Sequence, residues 1–343
     1  MKDINSKQFV LLERPAGVPN ESAFGLKNVV IPNHLDKDEL KLHGLYYSVD
    51  PYMRGRMNEI NPYIAPFKLN QPIEGNVVAR VIESRSESFK AGDLVVGQLP
   101  WATEMIVPQL AVKKINLKES LASESLGVLG MPGHAAYFAM LKIGQPKAGE
   151  TVLISAAAGA VGSVAGQIAK IKNCKVVGIV GSDEKTKLVT EHFKFDSAIN
   201  YKSAKTAKTL EEDIKKSCPN GIDVYFDNVG GPISEIVIRN MNSHGRIVIC
   251  GQISLYNLKG FPKEPEIEPL LLSRCISMQG FSVSDYENEL PEATAQLSKW
   301  LSEGKLESSE TIINGFDNLP KAFIGLFSGK NIGKMIVRAP ELH

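Results

Sequence analysis

The chain has 343 residues, of which 43% are hydrophobic and 22% charged, with a formal net charge of +1. The length suits about two domains and the composition suits a globular protein with a buried core. A balance so near neutrality draws the chain toward neither nucleic acid nor an anionic membrane, and the opening MKDINSKQFVLLERP has no apolar run of signal-peptide length.

Residues 1–125 read as an irregular, mostly β region. Short runs such as Val77–Ile82 (VVARVI) and Leu94–Val96 are punctuated by Pro51, Pro62, Pro66, Pro72, Gly75, Gly92, Gly97 and Pro100. Lys90–Asp93 (KAGD) is a turn feeding the second run. Ser48–Arg54 (SVDPYMR) sets an acid, a base, a phenol and a proline within seven positions, which suits a turn as well as a site.

From Gly149 onward strands and helices alternate. Thr151–Ser155, Lys175–Val180, Ser197–Asn200, Ile222–Phe226, Arg246–Ile249 and Ile276–Phe281 read as strands. Helical stretches run from about Ala160 to Lys172, over Glu184–His192 and over Thr209–Ser217. This alternation predicts a doubly wound parallel sheet covered on both faces. From about Thr311 the tail returns to strand–helix–strand and ends in Lys334–Arg338. The uncharged run Thr151–Ala169 has membrane-span length, but its Ala, Gly and Ser content, with polar Ser155, Ser163 and Gln167, argues against a span. Cys174, Cys218, Cys250 and Cys275 are spaced for neither a disulfide framework nor a zinc clip, and are expected as buried thiols in a reducing cytoplasm. The six histidines (His34, His43, His134, His192, His244 and His343) have no ligand-like spacing and are expected on surfaces or helix faces.

Ala157-Ala158-Gly159-Ala160-Val161-Gly162 follows the first of these strands and opens a helix. It is a GxGxxG dinucleotide fingerprint with Ala at the first glycine. Specificity is read at the end of the next strand, where Gly181 and Ser182 stand in place of the carboxylate that would hold a ribose 2′-hydroxyl. Lys185 follows within reach, so a 2′-phosphate, and hence NADPH, is favoured. Against this, Ser182 or Asp183 could serve only as a helix cap, and Asp183 keeps NAD open.

These pieces, with Gly130–Gly133 (GMPG), Ser155–Lys170, Gly181–Lys185 (GSDEK), Asn200–Lys202 (NYK), Phe226–Gly231 (FDNVGG), Cys250–Asn257 (CGQISLYN) and Asn331–Lys334 (NIGK), run in order over nearly the whole chain. Together they resemble the zinc-independent medium-chain dehydrogenase/reductases, in the branch of prostaglandin reductases, leukotriene B4 12-hydroxydehydrogenase, plant alkenal reductases and bacterial curcumin reductases. His134 departs from the branch, which more often has an apolar residue there, and is expected to pack between helices.

The resemblance implies an α/β fold. A GroES-like, mostly-β catalytic domain (1–125 and 311–343) would surround an inserted Rossmann NADP-binding domain (126–310). It places Ala158, Gly159, Ala160, Val161 and Gly162 at the pyrophosphate, and Ser182, Lys185 and Tyr201 at the adenosine 2′-phosphate. Asn228 falls at the cofactor bridge, and Cys250, Gly251, Ile253, Phe281, Val283 and Asn331 around the nicotinamide half. It also implies a homodimer.

No cysteine precedes Cys174, and the zinc relatives' Gly-His-Glu is matched by Glu74-Gly75-Asn76, so a zinc alcohol dehydrogenase is not expected. The expected reaction is metal-free, NADPH-dependent reduction of the C=C bond of an enal or enone, including compounds resembling 15-oxo-prostaglandins or curcumin. Hydride would add to the β-carbon. Tyr256 is either the donor to the developing enolate oxygen or a wall residue, and Tyr52 is expected opposite it in the pocket. A quinone reductase of the same fold and a non-catalytic NADPH-binding protein are the alternatives. Asp50 and Arg54 are expected to pair or cap locally.

Overall fold

The β-branched and aromatic residues of the first hundred positions fold as antiparallel strands, as a half-buried pleated surface favours. In chain order these are β1 (Ile4–Leu11), β2 (Phe24–Ile31), β3 (Glu39–Ser48), β4 (Glu74–Ser84), β5 (Leu94–Pro100), β6 (Glu104–Pro108) and β7 (Lys113–Lys114), with the short helix α1 (Met53–Arg56) after β3. The computed structural model describes residues 3–32, 34–59, 64–258 and 267–340. Next come α2 (Met131–Phe138), β8 (Thr151–Ser155), α3 (Ala160–Ile171), β9 (Lys175–Val180), α4 (Asp183–Lys187), β10 (Ser197–Asn200), α5 (Ala207–Ser217) and β11 (Ile222–Asp227). They are followed by α6 (Gly231–Arg239), β12 (Met241–Ile249), α7 (Glu268–Arg274), β13 (Ser277–Gly280) and α8 (Leu290–Ser302). The return segment holds β14 (Glu310–Asn314), α9 (Leu319–Leu326) and β15 (Lys334–Arg338).

The chain divides into two compact units, Met1–Leu126 with Glu310–Asn331 and Met335–His343, and Gly127–Ser309 with Ile332–Lys334. In the first, β1 and β2 form a two-stranded ladder, and a larger sheet runs β14-β15-β3-β4-β5-β7 with β6 also paired to β3. The last strand thus lies beside the third, with Ile336 opposite Ser48. Tyr47, Met53, Trp101 and Phe323 are fully buried in this unit's core.

The second unit is a six-stranded parallel sheet in the order β10-β9-β8-β11-β12-β13. β8 is buried at all five positions, as expected of a central parallel strand covered by helices on both faces. Strand order reverses between β8 and β11, and in open α/β sheets the crevice at that reversal is where ligands bind. The uncharged run 151–169 is therefore a strand, a turn and a helix. Its Gly166 is required by packing, because a Cβ there would stand 1.8 Å from the Phe195 ring. Among the described residues no helix is long and apolar enough to cross a membrane.

Three expectations need correction. The helix expected over Glu184–His192 is α4 followed by a wider π-helical turn at Leu188–His192. His43 is neither on the surface nor on a helix. It is buried in β3 opposite Glu104 of β6, its Nδ1 lies 2.5 Å from the Glu104 carboxylate, and its Nε2 lies 3.2 Å from the Pro340 carbonyl. Cross-strand partners of complementary polarity satisfy each other there, which is what permits their burial. Of the four thiols only Cys174 and Cys218 are buried; Cys250 is partly buried and Cys275, the left-handed cap of α7 at φ 53°, is exposed. His134 sits on α2 with Nε2 2.8 Å from Thr294 Oγ1 of α8, a contact between helices.

Candidate cofactor site and active site

Between β8 and α3 the chain turns within a few residues. Gly162 lies so close to the turn that a Cβ there would stand 2.4 Å from the Ala156 carbonyl oxygen. At Gly159 the same oxygen would be 3.2 Å away and nothing else within 4 Å, so the rest of that surface is open for a backbone-to-ligand approach. The first-glycine position, Ala157, is fully buried, and the left-handed residue of the turn is its neighbour Ala156 at φ 49°. A methyl group is tolerated at Ala157 because the strained dihedral falls one residue earlier. The loop is braced from the return segment, where Gly333 N–H donates to the Ala158 carbonyl at 2.8 Å and Gly159 and Gly333 form a parallel bridge. Ala158 is buried, whereas Ala160 and Val161 at the start of α3 are partly exposed. Asn331 lies two residues before Gly333.

At the end of β9 a basic rim forms. Ser182 caps α4, its Oγ accepting from Lys185 N–H at 3.2 Å, so the capping role considered for it is real and leaves the hydroxyl proton available. Asp183 accepts from Asn200 Nδ2 at 2.7 Å, which turns its carboxylate toward β10. Lys185 is half-buried, and burial first, then the Lys202 ammonium, pull its pKa below the usual lysine value. A Cβ on Gly181 would lie 3.3 Å from the Tyr201 ring and 3.7 Å from Lys202 Nζ. Tyr201 N–H in turn bonds the Val180 carbonyl at 3.0 Å. The Lys202 ammonium and the Tyr201 ring thus border a glycine with no side chain, and the Lys185 ammonium lies near enough to Lys202 to feel its charge, an arrangement that suits a phosphate dianion. Lys202 had not been singled out. Its signal was its place directly after Tyr201, in the turn that follows β10.

The ends of β11 and β12 are stitched together. Asn228 Nδ2 donates to the Ser155 carbonyl at 2.7 Å, and Ile253 N–H donates to the Asn228 carbonyl at 3.3 Å. Cys250 and Gly251 N–H both donate to the Asp227 carbonyl, at 2.8 and 3.1 Å. Burial first, and the Asp227 carboxylate second, push the Cys250 thiol up to about 12, so it is an inert thiol at neutral pH. Tyr256 folds back over this segment, and its hydroxyl accepts from Gln252 N–H at 3.3 Å. Accepting there leaves its own O–H proton to be donated elsewhere. Burial raises its pKa above the ordinary phenol value, so the proton is held at neutral pH. Phe281, partly buried, packs on the sheet's core, and Val283 opens the turn after β13.

In the first unit, SVDPYMR is a turn leading into α1. The Asp50 carboxylate accepts from Ser48 Oγ and its carbonyl accepts from Met53 N–H. Arg54 donates to the carbonyls of Pro15 and Gly17 and to Asn58 Oδ1, fastening the turn to the strand connection before it. Tyr52 packs on the core, and burial, followed by Asp50, raises its phenol far above the usual range. Glu74, in the stretch that matches the zinc relatives' ligand motif, pairs instead with Arg56 at 3.2 Å. Among the described residues no group of three or more His, Cys, Asp or Glu could hold a metal ion, so this donor chemistry does not fit zinc.

Known proteins resemble this chain over nearly its whole length. Residues 7–115 match the family described as the N-terminal domain of oxidoreductases, and residues 160–299 match the zinc-binding dehydrogenase family. Prostaglandin reductase 1 of Bos taurus is 44% identical over 98% of this chain and 100% of its own. The NADP(+)-dependent 2-alkenal reductase of Nicotiana tabacum is 40% identical over 98% of each chain. The solved structure of CurA from Vibrio vulnificus in complex with NADPH superposes with a TM-score of 0.91 at 39% identity, covering 98% of this chain and 100% of that one. The chain belongs to the medium-chain dehydrogenase/reductase family, in the branch of the prostaglandin, curcumin and 2-alkenal reductases.

Proposed function

We propose that the protein catalyses NADPH-dependent reduction of the C=C bond of α,β-unsaturated aldehydes and ketones, without a metal. The observation that carries this reading is that the basic rim around Gly181 and the Tyr256 hydroxyl both follow C-terminal ends of strands in one parallel sheet, in a chain related throughout to enal and enone reductases. NADPH, when bound, supplies the hydride that adds to the β-carbon of the activated alkene. Ala158, Gly159, Ala160, Val161 and Gly162 hold the pyrophosphate. Ser182, Lys185, Tyr201 and Lys202 hold the 2′-phosphate. Asn228, Cys250, Gly251, Ile253, Phe281, Val283 and Asn331 orient the rest of the cofactor.

As hydride adds, negative charge develops on the carbonyl oxygen, and the Tyr256 O–H donates to it while Gln252 N–H holds the phenol in place. Tyr52 forms an apolar wall that keeps its own proton. In this reading residues 1–125 and 311–343 are the catalytic domain and residues 126–310 the NADP domain.

NADPH consumption with an alkenal, a chalcone-like enone and a quinone tests the function. Turnover of the first two supports it, turnover of the quinone alone makes the protein a quinone reductase, and tight binding without turnover makes it an NADPH-binding protein. Tyr256→Phe is expected to lower kcat on an enone about a hundredfold, the lower range of general-acid effects. An unchanged kcat reduces Tyr256 to packing.

We also assign a homodimer joined at the open edge of the nucleotide sheet. Leu272 is 83% exposed on α7 beside β13, which pairs only with β12 among the described residues. Leu272→Lys should shift the molecular mass measured by light scattering toward the monomer. All four cysteines are free thiols, which fits a reducing cytoplasm.

A further inference from the structure

Asp227, the last residue of β11, is 2% exposed and its carboxylate is held by five uncharged donors. Oδ1 accepts from Ser155 Oγ at 3.0 Å, Tyr225 Oη at 2.8 Å, Val229 N–H at 2.9 Å and Gly230 N–H at 3.0 Å. Oδ2 accepts from Ser234 Oγ at 2.5 Å. A buried carboxylate is costly unless its lone pairs are filled, so this degree of satisfaction fixes every group that fills them.

The groups it fixes belong to three different strand ends. Through Ser155 it reaches β8, because Ser155 Oγ also accepts from Asn228 N–H at 2.9 Å and the Ser155 carbonyl accepts from Asn228 Nδ2. Through Val229 and Gly230 it sets the turn into α6, where Gly230 and Gly231 take φ 70° and 63°. The Asp227 backbone carbonyl gathers the N–H groups of Cys250 and Gly251. The carboxylate also faces Cys250 closely enough to contribute to the raised pKa of its thiol.

We propose that Asp227 is a positioning residue for the cofactor. Its carboxylate locks Ser155, Asn228 and the Cys250–Tyr256 segment into the single arrangement that receives NADPH. The proposal rests on the NADPH reading above and assigns a role to a buried group outside the residues placed there at the cofactor. Five donors meeting at one carboxylate need an acceptor with lone pairs on both oxygens. In Asp227→Asn one of those oxygens becomes an NH2 that can only donate, so at least one hydroxyl or N–H must turn away. Ser155→Ala removes a single donor and, with it, the acceptor of Asn228 N–H.

The test measures NADPH Kd by fluorescence titration alongside Tm for wild type, Asp227→Asn, Ser155→Ala and the control Ile214→Val, a buried apolar position on α5 that gives no hydrogen bond to the Asp227 network. Failure of wild type to bind NADPH would sink the NADPH reading itself. With wild type binding, Asp227→Asn is expected to raise Kd at least tenfold and Ser155→Ala several-fold, while Ile214→Val lowers Tm and leaves Kd unchanged. Wild-type Kd in both network variants, whatever their Tm, overturns the proposal, as does a Kd that merely follows Tm through all three. Should Asp227→Asn fail to fold, Ser155→Ala against Ile214→Val decides alone.

Discussion

The two ends of the nucleotide-binding edge are built by opposite means. At the proposed phosphate loop the working parts are backbone, and the critical feature is a missing atom, since a Cβ on Gly162 would come within 2.4 Å of Ala156 O. At the proposed rim the working parts are side chains, with the Lys202 ammonium and the Tyr201 ring beside Gly181 and the Lys185 ammonium within reach of Lys202's charge. The first kind of site tolerates no added volume. The second tolerates change of shape but depends on charge, and its strength is set by pH and ionic strength.

Substitutions can break this contrast in graded steps. Gly162→Val is expected to have the largest effect, because two further carbons cannot enter a space closed to one. Overpacking of even a single methylene costs about 1–3 kcal/mol, so titration should detect no NADPH binding and NADH should fare no better.

Lys185→Ala comes next. A charge-assisted contact is worth about 1.5–3 kcal/mol, so NADPH Kd should rise about 10- to 100-fold while NADH Kd hardly moves. Equal losses for both cofactors would remove Lys185 from the 2′-phosphate site. Lys202→Ala, on a more exposed ammonium, should raise NADPH Kd only several-fold and flatten its salt dependence.

The pH dependence sharpens the same point. Burial and Lys202 lower the Lys185 pKa, so its ammonium is lost at lower pH than an ordinary lysine's. Preference for NADPH over NADH should therefore be full near neutrality and decay as pH climbs toward about 10, the ordinary lysine range. Lys202→Ala, by removing one of the two causes, should move that decay to higher pH. The smallest effect is expected from Ser182→Ala, where loss of the cap costs about 1 kcal/mol of stability, read as a modest fall in Tm, and loss of one neutral hydroxyl at the 2′-phosphate raises NADPH Kd less than either lysine change.

Much of the nucleotide unit was legible in the chain itself. Alternation of short β-branched runs with helical stretches defines the strand series, and the spacing of Gly159 and Gly162 after a strand marks the loop, because both signals are local. The opening strands were harder to read. β3 runs over Glu39–Ser48 but takes its order from long-range pairing with β4, β6 and β15, which no short window of sequence carries. His43 was misjudged for the same reason, since its partner Glu104 is 61 positions away. SVDPYMR, which resembled a cluster of catalytic groups, is a turn whose arginine is spent on the carbonyls of Pro15 and Gly17.

By itself, then, the sequence determined the alternation, the glycine spacing and the absence of a carboxylate at Gly181, because each depends only on neighbours along the chain. Tertiary structure alone decided that Ala156 carries the strained dihedral, that Lys202 joins Lys185, and that Asp227 gathers donors from β8, β11 and α6. Those contacts form only once a parallel sheet brings the ends of distant strands side by side.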